Sequence, residues 1–346
     1  MKQTLRDFLC PQPKSKIKAG DGQLKGAYNF YTSSQIQSKF YHSATYTQPA
    51  LIFGTGGMAS VHYCNEPFST STDCLVMYGR LGAPLELIYY YLRSNMHLLQ
   101  DGFKGAGLQH ISKDYILNIN INMPAPSLQE QITHQMRLID AMINGKKQQI
   151  LSFDEAVKSR FIELFGDYDL THPQESWAPI KEVGTVVGGA TPKTDHDEYW
   201  GGSYRWITPA ELDADSGYIY DSVRKLTKAG VESCSLQEMP VGTVILSSRA
   251  PIGKVAIAGN TFYCNQGFKN IICKEGITPR YLYTVLLLNV EYLNSLGRGA
   301  TFKEISKGIV ESIRIPVPSM ELQEQFAAFV EQTDKSKLCG KMEVAA

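Results

Sequence analysis

The chain has 346 residues, 43 % hydrophobic and 20 % charged, with 34 Lys+Arg against 34 Asp+Glu and so no net charge. This length implies two domains, and the composition is that of a globular protein rather than a disordered or fibrous one. The neutral total lacks the positive excess usual for a nucleic-acid binder, so charge alone argues neither way, and a basic face can sit within it.

No apolar run approaches the roughly 20 residues that span a bilayer; VLLL (285–288) lies in the longest. The first residues, MKQTLRDFLCPQPKSK, lack the apolar core of a secretory signal. We therefore expect a cytoplasmic protein without a membrane contact. The seven cysteines, at 10, 64, 74, 234, 264, 273 and 339, form no CxxC pair. They read as reduced and mostly buried thiols.

In chain order, a first globule occupies about 1–125, with 11 Lys+Arg against 7 Asp+Glu, or +4. Its strand-like runs include ALIF (50–53) and CLVMY (74–78), and LELIYYYLRSNM (85–96) reads as a helix. A long helix follows over about 127–165. Leu128, Ile132, Met136, Ile139, Ile143, Ile150, Phe153, Val157, Phe161 and Leu164 recur along it at steps of three, four or seven, as in a coiled coil. Ser127 and Glu130 suit a capping box at its start.

The second globule, about 175–317, has strand-like TVILSS (243–248), KVAIAG (254–259) and KNIIC (269–273). It also has a helix over PRYLYTVLLLNVEYL (279–293). A second long helix starts near 319 and is expected to end near 338, because CGKMEVAA (339–346) does not continue its apolar stripe. Leu322, Phe326, Phe329 and Val330 would face the first helix. On this expectation the second half of the first helix lacks a partner within the chain.

The two halves repeat. Shifted by 194 positions, residues 51–131 align with 245–325 without a gap, with 19 of 81 positions identical. ISK (111–113) meets ISK (305–307), GA (105–106) meets GA (299–300), and LQEQ (128–131) meets LQEQ (322–325). Upstream, GAYNFYTSS (26–34) meets GSYRWITPA (202–210) at an offset of 176, which implies an 18-residue insertion in the second copy. Two like globules joined by paired helices suit a target with regularly spaced grooves, such as B-DNA.

These stretches make the chain similar to a specificity (S) subunit of a type I restriction–modification system. They are VGGATPKTDHDEYWGGSYRWITPAEL (187–212), ILSSRAPIGKVAIA (245–258), NQGFKNI (265–271) and IPVPSMELQEQ (315–325). From the first copy come GAYNFYTSSQI (26–36), ALIFGTGG (50–57) and ISKDYILNININMPAPSLQEQ (111–131). The resemblance implies an α+β fold: two mixed α/β target recognition domains in tandem repeat, separated by long antiparallel coiled-coil helices. The domains would be recognition domain 1 (1–125), spacer helix 1 (126–168), recognition domain 2 (169–318) and a shortened spacer helix 2 (319–346).

It further implies that each globule reads half of a bipartite site in double-stranded DNA. The helices would set the spacer and dock two methyltransferase (modification) subunits. Motor-nuclease (restriction) subunits would join for cleavage. The chain itself would do no chemistry and hold no cofactor; S-adenosylmethionine and ATP with Mg would serve the partners. A second copy of this chain, associating through the exposed half of helix 1, is the other candidate partner.

Base reading needs donors and acceptors at base edges, and phosphates need Lys, Arg and amides. The DNA-binding candidates in the first globule are Tyr31, Thr32, Ser33, Ser34, Thr55, Ser71, Thr72 and Lys104. In the second they are Lys193, Thr194, Arg205, Thr208, Ser248, Arg249, Gln266, Lys269 and Arg298, with Arg249 foremost. Each also reads as a solvated surface residue or turn former. The competing function is an S-adenosylmethionine-dependent methyltransferase using FGTGGMA (53–59), a G-x-G-x-x-A pattern. Against it, the repeat partner SSRAPIG (247–253) lacks two of the glycines, and no NPPY-like motif occurs. No HExxH or spaced Cys/His set suggests a metal. His196, amid Asp195, Asp197 and Glu198, reads as a solvated loop, and Trp177, Trp200 and Trp206 read as anchors.

Overall fold

A computed structural model describes residues 3–105, 107, 109–212, 217–249, 251–298 and 303–345. Of the repeated GA pairs, Ala106, Gly299 and Ala300 lie outside the described residues, as does Ala250 of the SSRAPIG turn. The chain divides into two compact units, Met1–Gly145 and Lys146–Ala346.

In the first unit, Leu9–Pro11, Cys74–Gly79, Ala50–Gly54 and Val61–Cys64 form a four-stranded antiparallel sheet in that order. Its central strands are apolar at every position because both faces are covered. Leu51, Phe53, Leu75 and Met77 face the helix Leu85–Ser94, whose Leu85, Ile88 and Leu92 meet them. The alternate residues Ala50, Ile52, Cys74 and Val76 face a second core with Tyr31, Tyr46 and Phe68. Period-two alternation thus feeds two cores from one strand. Tyr31 and Phe68 belong to a three-stranded sheet in which Tyr28–Tyr31 pairs in parallel with Phe68–Thr70 and antiparallel with Lys39–Tyr41.

The second unit repeats this plan. Gly184–Gly188, Lys269–Cys273, Val244–Leu246 and Val255–Ala258 take the same order, and Trp200–Ile207 pairs in parallel with Tyr263–Cys264. Val244, Leu246, Val255 and Ile257 face the helix Pro279–Leu288, while Ile245, Ala256 and Ala258 face the opposite core. The additions are the strand Tyr218–Ile219, which extends the sheet, and the short helix Lys228–Glu232. Both fall within the inserted stretch.

The long helix runs Pro126–Phe165, 40 residues, or about 60 Å. Its start departs from the expected capping box, because the helix begins at Pro126 and places Ser127 inside the first turn. Instead Gln129 Nε2 donates to the Pro124 carbonyl at 3.0 Å. The same device recurs 194 residues later, where Gln323 Nε2 donates to the Pro318 carbonyl at 2.9 Å. The repeated LQEQ therefore encodes a side chain that reaches back five residues to a proline carbonyl just ahead of the helix.

The second long helix runs Met320–Ala345, beyond the end expected near 338. Buried Gly340 lets Ile150 approach: a Cβ on Gly340 would lie 3.5 Å from Ile150 Cγ1. Lys337 Nζ bonds Asp154 Oδ1 at 2.5 Å, and Phe326 meets Phe161 edge-on at 5.4 Å. Rising numbers on one helix meet falling numbers on the other, so within this unit the two segments are antiparallel. The second half of the first helix therefore does have a partner within the chain, contrary to expectation. Phe161 and Phe165 also pack on Tyr281, at 5.7 and 4.9 Å.

The first half of that helix rests on its own globule. Arg137 makes a two-pronged pair with Glu86 (2.8 and 2.7 Å), and Arg93 does so with Asp140 (2.8 and 2.7 Å). A cavity of about 380 Å³, lined by Leu87, Tyr90, Tyr91, Ile132 and Met136, lies beside that contact. Leu138, Ile139 and Met142 are 52 %, 50 % and 70 % exposed. Among the described residues no helix is long and apolar enough to cross a membrane.

Candidate nucleic-acid interface

Each unit carries, at the end of its central sheet, a hairpin closed by one pair of residues. In the first unit Lys104 and His110 exchange both backbone hydrogen bonds at 3.0 Å, and the Ile111 amide donates to the Thr55 carbonyl at 3.2 Å. In the second, Arg298 and Glu304 exchange theirs at 3.1 and 3.0 Å, and the Ile305 amide donates to the Ser248 carbonyl at 2.9 Å. Lys104, His110 and Ile111 align with Arg298, Glu304 and Ile305 at the repeat offset. A cation therefore occupies the same exposed place on the same scaffold in both units.

Around the first hairpin, several predicted residues form one polar knot. Ser33 Oγ and Thr55 Oγ1 both donate to the Asp73 carbonyl, at 2.8 and 2.9 Å. Ser71 Oγ accepts from the Asp73 amide at 3.3 Å. Ser71 and Thr55 are buried, and their hydroxyls hold the turn together. Tyr31 is a core residue, its ring 5.1 Å from His62 and 5.7 Å from Phe68, and burial pushes its phenol well above the ordinary range. Tyr31, Thr55 and Ser71 are thus placed inside rather than at a base-reading surface. Ser34, Thr72 and Lys104 are exposed, and Thr32 is half-buried. A cavity of about 590 Å³ beside Thr55 and Ile111 brings in Gln12, Lys14, Ser112 and Lys113, which sequence reasoning missed. Lys14 and Lys113 stand far apart in the chain, so no local motif marks them.

In the second unit the predicted residues fall into two groups. Ser248, Arg249 and Lys269 converge on Glu304: Lys269 Nζ lies 3.1 Å from Glu304 Oε1 and 3.3 Å from Ser248 Oγ, and Arg249 Nη1 lies 3.8 Å from Glu304 Oε2. Ser248 is fully buried and acts as a support. The bare α-carbon of Gly267 sits beside Arg249, and exposed Gln266 accepts from Thr191 Oγ1 at 2.5 Å.

The other group lies around the strand Trp200–Ile207. Arg205 Nε bonds Asp221 Oδ1 at 3.2 Å, while Thr208 caps a turn through Glu211 Oε1 at 2.9 and 3.0 Å. Lys193 and Thr194 are exposed on a loop pinned by two indoles. Trp200 Nε1 donates to the Lys193 carbonyl at 3.2 Å, and Trp206 Nε1 to the Ala190 carbonyl at 3.1 Å. Arg224 stacks over Trp200 at 3.5 Å. The tryptophans therefore anchor the loop.

FGTGG (53–57) joins two antiparallel strands, Ala50–Gly54 and Val61–Cys64. No helix follows it, so it lacks the helix N-terminus that a nucleotide-phosphate loop uses. Gly54 is required for another reason: a Cβ there would press on Ser33 Cα at 2.8 Å. His196 pairs with Glu198 at 2.8 Å and stacks on Tyr199. Among the described residues no group of His, Cys, Asp and Glu is placed to hold a metal ion. Burial raises the Cys74 thiol to about 11 and Cys264 to about 12, while Cys10 and Cys339 are exposed.

The family model for the type I restriction modification DNA specificity domain matches residues 3–152 and 175–340. The type I restriction enzyme MjaIX specificity subunit of Methanocaldococcus jannaschii is 42 % identical over 184 residues, which are 51 % of this chain and 42 % of that protein. The putative MjaX specificity subunit of the same organism is 23 % identical over 71 % of this chain and 61 % of its own length. The EcoDI specificity subunit of Escherichia coli is 24 % identical over 92 % and 77 %. The matches thus span less than two thirds of the length of both archaeal proteins. Among solved structures, a type I restriction-modification S subunit from M. genitalium superposes with a TM-score of 0.63 at 14 % identity. It covers all of this chain and 92 % of that one, a likeness of fold.

Proposed function

Because the chain belongs to the type I restriction modification DNA specificity family, we propose that it is the DNA-reading subunit of a type I restriction–modification complex. Each unit reads one half of a bipartite duplex site. The observation that carries this reading is the repeated hairpin, which sets Lys104 and Arg298 at equivalent exposed positions beside polar turns. One cation per unit suits a phosphate contact that fixes register, while neighbouring side chains read base edges. Arg249, Gln266 and Lys269 are the readers assigned to the second unit; Thr32, Ser34 and Thr72 are those of the first.

The chain supplies no catalytic group and no cofactor site in this reading. Two methyltransferase subunits use S-adenosylmethionine, and motor-nuclease subunits use ATP with Mg, all in the cytoplasm. The exposed Leu138, Ile139 and Met142 support docking of another subunit, since exposed apolar patches mark interaction surfaces.

The test is co-expression with the cognate methyltransferase subunit in a host lacking adenine methylation, followed by mapping of N6-methyladenine. An asymmetric two-part site with a fixed spacer is expected. A palindromic site would mean that two chains pair and use one unit each. An intact complex that methylates nothing would overturn the reading.

A further inference from the structure

We propose that Glu304 is a positioning residue for DNA reading by the second unit. It holds Arg249 and Lys269 together, off the phosphates of random duplex, and releases them to bases that offer acceptors. The inference rests on the reading that this unit binds DNA.

Glu304 spans the two cations, with Oε1 3.1 Å from Lys269 Nζ and Oε2 3.8 Å from Arg249 Nη1. Its backbone is locked twice. It exchanges hydrogen bonds with Arg298, and the next amide, Ile305, donates to the Ser248 carbonyl. The carboxylate therefore has a fixed origin, and Arg249, the more exposed of the two cations it holds, has the looser contact. Lys269 is tethered further by Ser248 Oγ at 3.3 Å.

The first unit provides the control. Arg249 pairs with Glu304 as Gly56 pairs with His110, and Lys269 lies one strand over where the first unit has Leu75, so the three positions correspond to Gly56, Leu75 and His110. His110 closes its hairpin with the same pair of backbone bonds, and its ring Nδ1 lies 3.1 Å from the Thr55 carbonyl. The scaffold thus forms without the two cations and the carboxylate. The charges in the second unit are not a requirement of the fold.

Magnitudes set the order of events. The Arg249–Glu304 pair, with side chains 35 % and 39 % exposed, shifts an equilibrium by no more than about fivefold. A two-pronged Arg contact to guanine discriminates by about 5- to 150-fold. Glu304 thus competes with a single phosphate but yields to a correct base. Removing its charge frees two cations for any duplex.

The experiment uses this chain in complex with its methyltransferase subunit. Affinity for a random-sequence duplex and for the duplex identified by methylation mapping is measured between 50 and 200 mM salt, as the range in which such slopes are read. With Glu304→Gln, and with Glu304→Ala as a second neutral variant, the salt slope on random duplex steepens by about 1 to 2, at roughly 0.9 per phosphate gained. The preference for the cognate duplex falls by up to about fivefold. Glu304→Asp retains the wild-type preference. Unchanged slope and preference in the neutral variants would overturn the proposal and leave the DNA-reading assignment standing. A wild-type complex that binds no duplex would overturn both.

Discussion

Ile150 lies across the bare α-carbon of Gly340, where a Cβ would stand 3.5 and 3.7 Å from its side-chain carbons. Those distances are ordinary van der Waals contact, so alanine fits without displacing Ile150. Glycine inside a helix costs about 0.5–1 kcal/mol relative to alanine. Gly340→Ala should therefore raise the unfolding free energy of the second unit by that amount. Gly340→Leu should lower it, because a branched side chain forces the helices apart. Denaturant melts followed by circular dichroism decide both signs.

The helix-start glutamines differ in burial, so their loss should differ in cost. Gln323 is fully buried and also ties the Gly276 carbonyl and the Thr278 amide, at 3.0 and 2.8 Å. Gln323→Ala strands those groups and should cost about 1–3 kcal/mol. Gln129, half-buried with the single bond to Pro124, should cost about 1 kcal/mol or less. Equal effects in urea melts would contradict the assigned roles.

Lys104 and Arg298 are assigned to phosphates, and phosphate contacts carry no sequence information. Lys104→Ala and Arg298→Ala should each weaken cognate and random duplex alike and flatten the salt slope by about 1. The bases methylated should stay the same. A changed methylation site in either variant would move that residue to base reading.

The His62 ring sits in the first unit with Nε2 2.8 Å from the Ser34 carbonyl, so the proton lies on Nε2 in the neutral ring. Burial, the dominant influence, lowers its pKa below the ordinary 6.5, and the Ser34 contact opposes this. A lowered folded pKa means the unfolded chain binds the proton first. The stability is therefore complete above about 6.5 and declines as pH falls from there through the folded pKa. Thermal melts between pH 7.5 and 5 should show this loss, and His62→Gln should reduce it.

Much of the plan was legible in the chain. The apolar runs at 50–53, 74–78, 243–248 and 269–273 mark strands covered on both faces, and their spacing repeats at one offset. The phenylalanines at 161 and 326 follow helical spacing and meet in the core. Such patterns are local, and local periodicity is what a sequence records directly.

The reading surface was less so. Tyr31, Thr55 and Ser71 have the chemistry of base readers, yet the fold turns them inward onto the Asp73 backbone and the Phe68 ring. Lys14 and Lys113 come to one cavity from opposite ends of the first unit.

The sequence alone thus determined the duplication, the strand and helix runs and the family. Each follows from residue order over a few turns or from a shift of the chain on itself. Only the tertiary structure decided that the second helix passes Gly340, that Glu304 gathers Arg249 and Lys269, and which hydroxyls face solvent. Those depend on contacts between residues tens to nearly two hundred positions apart, where side-chain type is known in advance but partner and direction are set by packing.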